Sequence, residues 1–410
     1  MTNYLVESNT LPLLYHSLIR IGNYYFCFYR GNPPSYDTSH YETSVDLQTW
    51  SNKTLVSNDA VGSDIVFWKN KIWIAYWSNF SDRIFVMSGT VSGTSISWDV
   101  PVQINFVITG GAAAIFAVSN DESVLYMITR GWKPFPERYR VKVFKTTNGT
   151  NWTEILNYDD GTDYAPDIEI CQHPIDDDGC MAFMDRYSGG GVWAKWRSNL
   201  YDGNNWAGWV DVGDATALAN YSWGKARKYG NMIIFIFCEA RLPTYTIYWQ
   251  KYEDGTWMDF KQILSEPIIG LADTQALFGL CLGPYGEYLY AVYQEDTNDK
   301  LYLRKWDGSS WTSKEEVEQL TDDSGLIALI RESDDMENIL PVSYAEASAP
   351  WDTRVCYFET SETISGSIIG IKIKDCQIYS YLTITGSAND ILGEEIVGEG
   401  LYWEKKTPAS

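Results

Sequence analysis

The chain has 410 residues, 45 % hydrophobic and 15 % aromatic, with 54 acidic side chains against 31 basic ones and a formal charge of −23. So acidic a chain repels phosphate backbones and anionic membrane surfaces, and with no Lys/Arg stripe to offset this, nucleic acid is not an expected partner. No run approaches the roughly 18 apolar residues of a membrane span, and "MTNYLVESNTLPLLY" lacks a basic segment followed by an apolar one, so neither membrane insertion nor ordinary secretion is expected; a cytoplasmic or virion-associated location is.

From residue 10 onward, short runs rich in β-branched and aromatic residues alternate with Gly, Asn and Asp, and no stretch keeps a helical period over three turns. The runs pair into seven hairpins: "HSLIRIGNYYFCFYR", "SDIVFWKNKIWIAYWS", "AAAIFAVSNDESVLYMITR", "PDIEICQHPIDDDGCMAFMDR", "YSWGKARKYGNMIIFIFCEAR", "QALFGLCLGPYGEYLYAVYQE" and "GLIALIRESDDMENILPVSYAE". The second strand of several is apolar on both faces, as in "YYFCFY" and "IIFIFC", which suits a strand sandwiched between neighbouring sheets. Each of the first six hairpins is followed by a third strand and a box ending in tryptophan, at Trp50, Trp98, Trp152, Trp206, Trp257 and Trp311, spaced 48 to 54 positions apart. A period near 50 marks a repeat architecture.

The spacing predicts an all-β fold, a β-propeller of seven four-stranded blades, with a six-bladed ring plus an extra sheet as the alternative. Blade units fall at about 10–58, 59–107, 108–158, 159–213, 214–265, 266–319 and 320–362, and residues 363–410 read as a small C-terminal β appendage. The last unit has a third strand, "TRVCYFET", but no box, so its outer strand must come from residues 2–8 or from a segment after Thr360. Most of the seven cysteines sit inside apolar strands as free thiols; Cys171 and Cys180 flank one hairpin and are the one candidate disulfide. No spacing of metal ligands or phosphate-binding glycines occurs, so neither metal nor cofactor is expected.

The boxes resemble the degenerate Asp-boxes, S-x-D-x-G-x-x-W, of the sialidase-like propellers: "SVDLQTW" keeps Ser44, Asp46 and Trp50, and the others keep mainly Asp-Gly or Asn-Gly and the tryptophan. The resemblance covers most of residues 10–312 and implies that the boxes lie between third and fourth strands. It places Arg186 and Arg241 where sialidases hold two arginines of a carboxylate clamp. The stretch "LLYHS" has no arginine for the third, with Arg20 too far along, and "ADTQALFG" puts Asp273 or Thr274, then Gln275, where the sialidase tyrosine would stand.

In a propeller the starts of first strands and the ends of second strands converge on one face. The starts supply His16, Asp64 and Asp167, with Glu169 on Asp167's side of the strand, pointing toward the axis; the ends supply Arg30, Arg130, Asp185, Arg186, Glu239, Arg241, Glu295 and Glu346. Guanidinium and carboxylate groups together suit a sugar or another polyhydroxylated ligand, neutral or anionic, and Trp77, Trp132, Tyr187, Trp223 and Trp351 lie near predicted loop ends where they can stack on sugar faces. The expected ligand set is therefore Arg30, Arg130, Arg186, Arg241, His16, Trp77, Trp132, Tyr187 and Trp223, and the expected function is glycan binding, in the manner of a viral or cell-surface attachment protein. Residues 363–410 are the candidate segment for self-association or virion assembly. The alternative is glycoside hydrolysis through Asp64, Asp167 and Glu239, which would flank a scissile bond as paired carboxylates. A protein-interaction propeller is the third reading.

Overall fold

The computed structural model describes residues 4–359, apart from 9, 14, 32–37, 58–60, 79–80, 108–109, 133–139, 160–165, 188–193, 218–222, 242–243, 266–267, 270–277, 283–287, 296–299, 320–323, 331–338 and 347–351, together with 394–396 and 403–405. Residues Met1–Glu359 form one compact unit and Thr360–Ser410 another. Within the first, seven antiparallel sheets follow one another along the chain as the blades of a β-propeller, and no helix occurs among the described residues.

Blades 3, 4 and 6 each run first strand to fourth in chain order: Gly110–Val118 to Thr153–Asp159, Ile168–Gln172 to Val210–Ala217, and Phe278–Leu282 to Glu315–Gln319. In blade 2, Val61–Trp68, Lys71–Ser78 and Arg83–Ser92 are followed by two short outer segments, Ser95–Trp98 and Val102–Val107, which share one edge. Blade 5 divides its outer edge in the same way beyond Thr244–Glu253. Blade 7 (Ser324–Leu329, Ile339–Glu346, Asp352–Glu359) takes its outer strand from Tyr4–Ser8, with Tyr4 opposite Val355 and Ser8 opposite Asp352. The N-terminal segment is thus the one that closes the ring.

The second strands show why one sequence can serve two interfaces. Along Tyr24–Gly31, Phe26 and Phe28 pack toward blade 2, while Tyr25, Cys27 and Tyr29 pack toward blade 7. In Met232–Arg241, Ile233, Phe235 and Phe237 meet blade 4, where the rings of Phe183 and Phe235 stack with centroids 5.0 Å apart, and Ile234, Ile236 and Cys238 meet blade 6. The same alternation separates Cys171 from Cys180: Cys171 packs toward blade 5, Cys180 toward blade 3, and both are free thiols. The candidate disulfide is therefore absent, because neighbouring ladder positions point to opposite faces of the sheet.

The tryptophan boxes are clamps onto the preceding blade. In four of them one side-chain oxygen caps two successive amides: Asp46 accepts from Gln48 and Thr49, Asn148 from Thr150 and Asn151, Asp202 from Asn204 and Asn205, and Asp307 from Ser309 and Ser310, all at 2.6–3.0 Å. The boxes ending at Trp98 and Trp257 are two-residue hairpins instead, with positive φ at Gly93 in one and at Asp254 and Gly255 in the other. The indole of Trp206 donates to Ile155 O of blade 3 at 2.8 Å, and that of Trp257 to Ser198 Oγ of blade 4 at 2.9 Å. Gly149 has φ +78°, and a Cβ there would stand 1.9 Å from the Trp73 ring of blade 2. Gly149→Ala combines left-handed strain with overpacking and should lower stability by about 2–4 kcal/mol in urea unfolding.

At the seam between blades 1 and 7, Tyr29 donates its hydroxyl to Glu42 Oε1 at 2.7 Å. Burial pushes the Glu42 carboxyl up to about 7, with the neighbouring Glu7 adding to the shift and Lys53 opposing it. A raised carboxyl pKa means that folding takes up a proton, so this contribution is greatest below the unfolded value of about 4.3 and is lost as pH rises to about 7. Glu42→Gln should flatten the fall in melting temperature across that window; an unchanged slope would assign it to other groups.

Candidate functional site

The innermost strand of blade 1 is interrupted. Thr10–Pro12 and Leu18–Ile21 both pair with Tyr24–Gly31, but the residues between them lean on blade 2: Tyr15 N donates to Ser63 O at 3.2 Å and His16 N to Asp64 Oδ1 at 3.1 Å. This detour brings Tyr15 and His16 to the propeller axis. Asp64, on the first strand of blade 2, also meets His16 Nδ1 at 2.6 Å and accepts from Phe116 N of blade 3 at 2.8 Å through Oδ2. The neighbouring Ser63 Oγ accepts from Ala114 N at 2.9 Å. The first strand of a blade has a free inner edge whose amides need acceptors; blade 2 supplies them both to blade 3 and to the displaced residues of blade 1.

Blade 4 repeats the device. Asp167 Oδ2 accepts from Gly224 N of blade 5 at 3.1 Å, and Asp167 N donates to Asp185 Oδ1 at 2.6 Å. Arg130 of blade 3 donates to Pro166 O and lies 3.6 Å from Asp167 Oδ1. Glu169, fully buried, accepts from Ile170 N at 3.0 Å through Oε1 and lies 3.8 Å from Arg227 and 3.9 Å from Lys225, both on the first strand of blade 5. The Lys225 ammonium sits 4.4 Å from the centre of the Tyr15 ring.

The circuit is completed across the axis, where Arg227 of blade 5 meets His16 Nε2 of blade 1. A guanidinium only donates, so Nε2 is the acceptor and the ring is the neutral tautomer whose Nδ1–H donates to Asp64. Burial pushes the Asp167 carboxyl up to about 6 against the opposing pull of Arg130 and Lys225. It raises Glu169 as well, lowers Lys225, and keeps the Tyr15 phenol protonated by raising it far above its ordinary value.

Of the residues expected from sequence, His16, Asp64, Arg130 and Asp167 come together here, and Glu169 turns toward the axis. Glu239 is buried in blade 5 and pairs with Lys261, which also lies 4.7 Å over the Tyr248 ring. Arg186 is exposed on the rim, Arg30 is half-buried, and Trp77 and Trp223 are half-buried against interblade cores. The side chains of Trp132, Tyr187, Arg241, Glu295 and Glu346 lie outside the described residues, as do Trp351, Asp273, Thr274 and Gln275. Sequence reasoning missed Tyr15, Lys225 and Arg227. The available signal was "GKARKY", where basic residues alternate with Gly224 and Ala226 on an innermost strand. No cluster of three or more His, Cys, Asp or Glu suited to a metal ion occurs among the described residues.

No protein-family model matches the sequence, and no curated protein matches it either. Among solved structures, the polysaccharide lyase Uly1 superposes with a TM-score of 0.55 at 10 % identity, over 88 % of this chain and 93 % of its own. A puromycin hydrolase superposes at 0.50 with 8 % identity, over 85 % of this chain and 52 % of its own. The fucose-specific lectin from Aleuria aurantia gives 0.47 at 11 % identity, over 76 % and 96 %. At such identities the likeness is one of fold alone.

Removing one member of a buried ion pair leaves the other uncompensated, at a cost of about 3–5 kcal/mol. Arg227→Met should destabilise the protein on that scale in urea, and adding Glu169→Gln should restore part of the loss. Simple additivity of the two substitutions would show that the residues are not coupled.

Proposed function

We propose that this propeller binds carbohydrate on the face where first strands begin and second strands end. The observation that carries the reading is the convergence, from five blades, of hydrogen-bonding groups of both signs: Tyr15 and His16, Asp64, Arg130, Asp167 and Glu169, and Lys225 and Arg227. Sugars are recognised by such convergent polar groups placed beside aromatic surface. On the rim, Arg30 and Arg186 are the charged contacts, and the uncovered parts of the Trp77 and Trp223 indoles are the stacking surfaces.

A second reading, glycoside hydrolysis, is favoured by one observation: the Asp167 carboxyl is pushed up to about 6, toward the range in which a carboxylic acid still donates a proton near neutral pH. A glycan array and a panel of aryl glycosides separate the two. Binding without turnover is the expected result. Turnover abolished by Asp167→Asn with the fold intact would establish hydrolysis, and failure of both assays would favour a protein-interaction propeller. An attachment role would further require several copies acting together, because avidity multiplies weak single-site affinities. Sedimentation velocity should then show an oligomer, and a monomer would count against attachment.

A further inference from the structure

Three oxygens beside the axis share one condition. Tyr15 OH, Asp167 Oδ1 and Glu169 Oε2 are buried, and none has a hydrogen-bond partner among the described residues. Cations stand near them without closing on them: Arg130 is 3.6 Å from Asp167 Oδ1, Lys225 is 3.9 Å from Glu169 Oε2, and the same ammonium lies 4.4 Å from the Tyr15 ring centre. The phenol is near enough to Arg130, Asp167 and Glu169 to feel their charges. The contrast with Asp64 is direct, since both of its oxygens are engaged. A buried polar atom left without a partner costs about 1–3 kcal/mol, so each of these oxygens calls for a partner from outside the described residues, whether a ligand group or a water.

We propose that Tyr15, Asp167, Glu169 and Lys225 form a hydroxyl-recognising subsite, and that the sugar it takes is uncharged. The proposal rests on the carbohydrate reading above. A sugar hydroxyl both donates and accepts, so it can donate to Asp167 Oδ1 or Glu169 Oε2 while accepting from the Tyr15 hydroxyl or the Lys225 ammonium. Water lacks the sugar's fixed spacing of hydroxyls, and a carboxylate lacks the donor. An acidic sugar is disfavoured by charge as well: among the described residues Asp64, Asp167, Asp185 and Glu169 stand with Arg130, Lys225 and Arg227, four acids against three bases, so a further buried anion adds to an acidic balance.

Tyr15→Phe tests this, because it removes one oxygen and leaves the ring that Lys225 covers. The melting temperature should be equal or higher, while affinity for neutral monosaccharides (galactose, glucose, mannose, arabinose), measured by titration calorimetry or saturation-transfer NMR, should fall about tenfold. Glucuronate and N-acetylneuraminate serve as the acidic counterparts and should not bind. A melting temperature several degrees lower would show that the hydroxyl serves the fold and would overturn the subsite. Unchanged affinity in the variant, or wild-type binding confined to the acidic sugars, would overturn it while leaving the carbohydrate reading in place. Wild-type protein that binds no sugar of either kind would overturn both.

Discussion

The contact between Arg227 and His16 Nε2 joins blade 5 to blade 1 across the propeller axis, and the organisation of the charged centre depends on it. It fixes the tautomer of His16, which fixes the Nδ1–H donated to Asp64, which in turn leaves Asp64 Oδ2 as an acceptor for the inner edge of blade 3. On the other side the guanidinium faces Glu169 of blade 4. One side chain therefore links blades 1, 2, 3, 4 and 5 through charges that would be costly to bury singly.

The deeper constraint is the free edge of each innermost strand. Outer strands can turn their unpaired amides to water, but strands around the axis cannot all do so, and here carboxylates and a serine hydroxyl of preceding blades cap them. Asp64 and Asp167 thus serve the ring before they serve any ligand. They differ in what remains: both oxygens of Asp64 accept hydrogen bonds, whereas Asp167 Oδ1 has no hydrogen-bond partner among the described residues, only the Arg130 guanidinium at 3.6 Å, and its carboxyl is raised by burial. That asymmetry explains why acidic residues at equivalent strand starts cannot be given one common role.

Much of the architecture was legible because it is written in local chemistry. A turn such as Asp202-Gly203 ahead of Trp206 needs only its own side-chain oxygen and the amides at 204 and 205 to form, so the recurrence of such boxes every fifty or so residues gives the blade period directly. His16, Asp64 and Asp167 were legible as strand-start residues for the same reason. Tyr15, Lys225 and Arg227 were not, because their partners are 48 to 211 positions away or on non-adjacent blades and meet only when the ring closes. The split innermost strand of blade 1 was equally hidden, since nothing in "LYHS" announces that its amides pair with the next blade. The Cys171 and Cys180 pairing failed on side-chain direction, which spacing along a hairpin does not encode.

Period, turn chemistry and two-sided apolar strands determined by themselves that this chain is a β-propeller and favoured seven blades over six, because each blade is a local unit whose exposed faces can be buried only by copies of itself. Which end of the chain closes the ring was open until Tyr4–Ser8 was seen paired to Asp352–Glu359. Which of the strand-start and strand-end charges meet, and that Tyr15, Lys225 and Arg227 join them, was decided by tertiary structure, for a physical reason. Charges become a site only when burial strips them of water and brings unlike partners within reach, and both depend on five blades meeting at one axis.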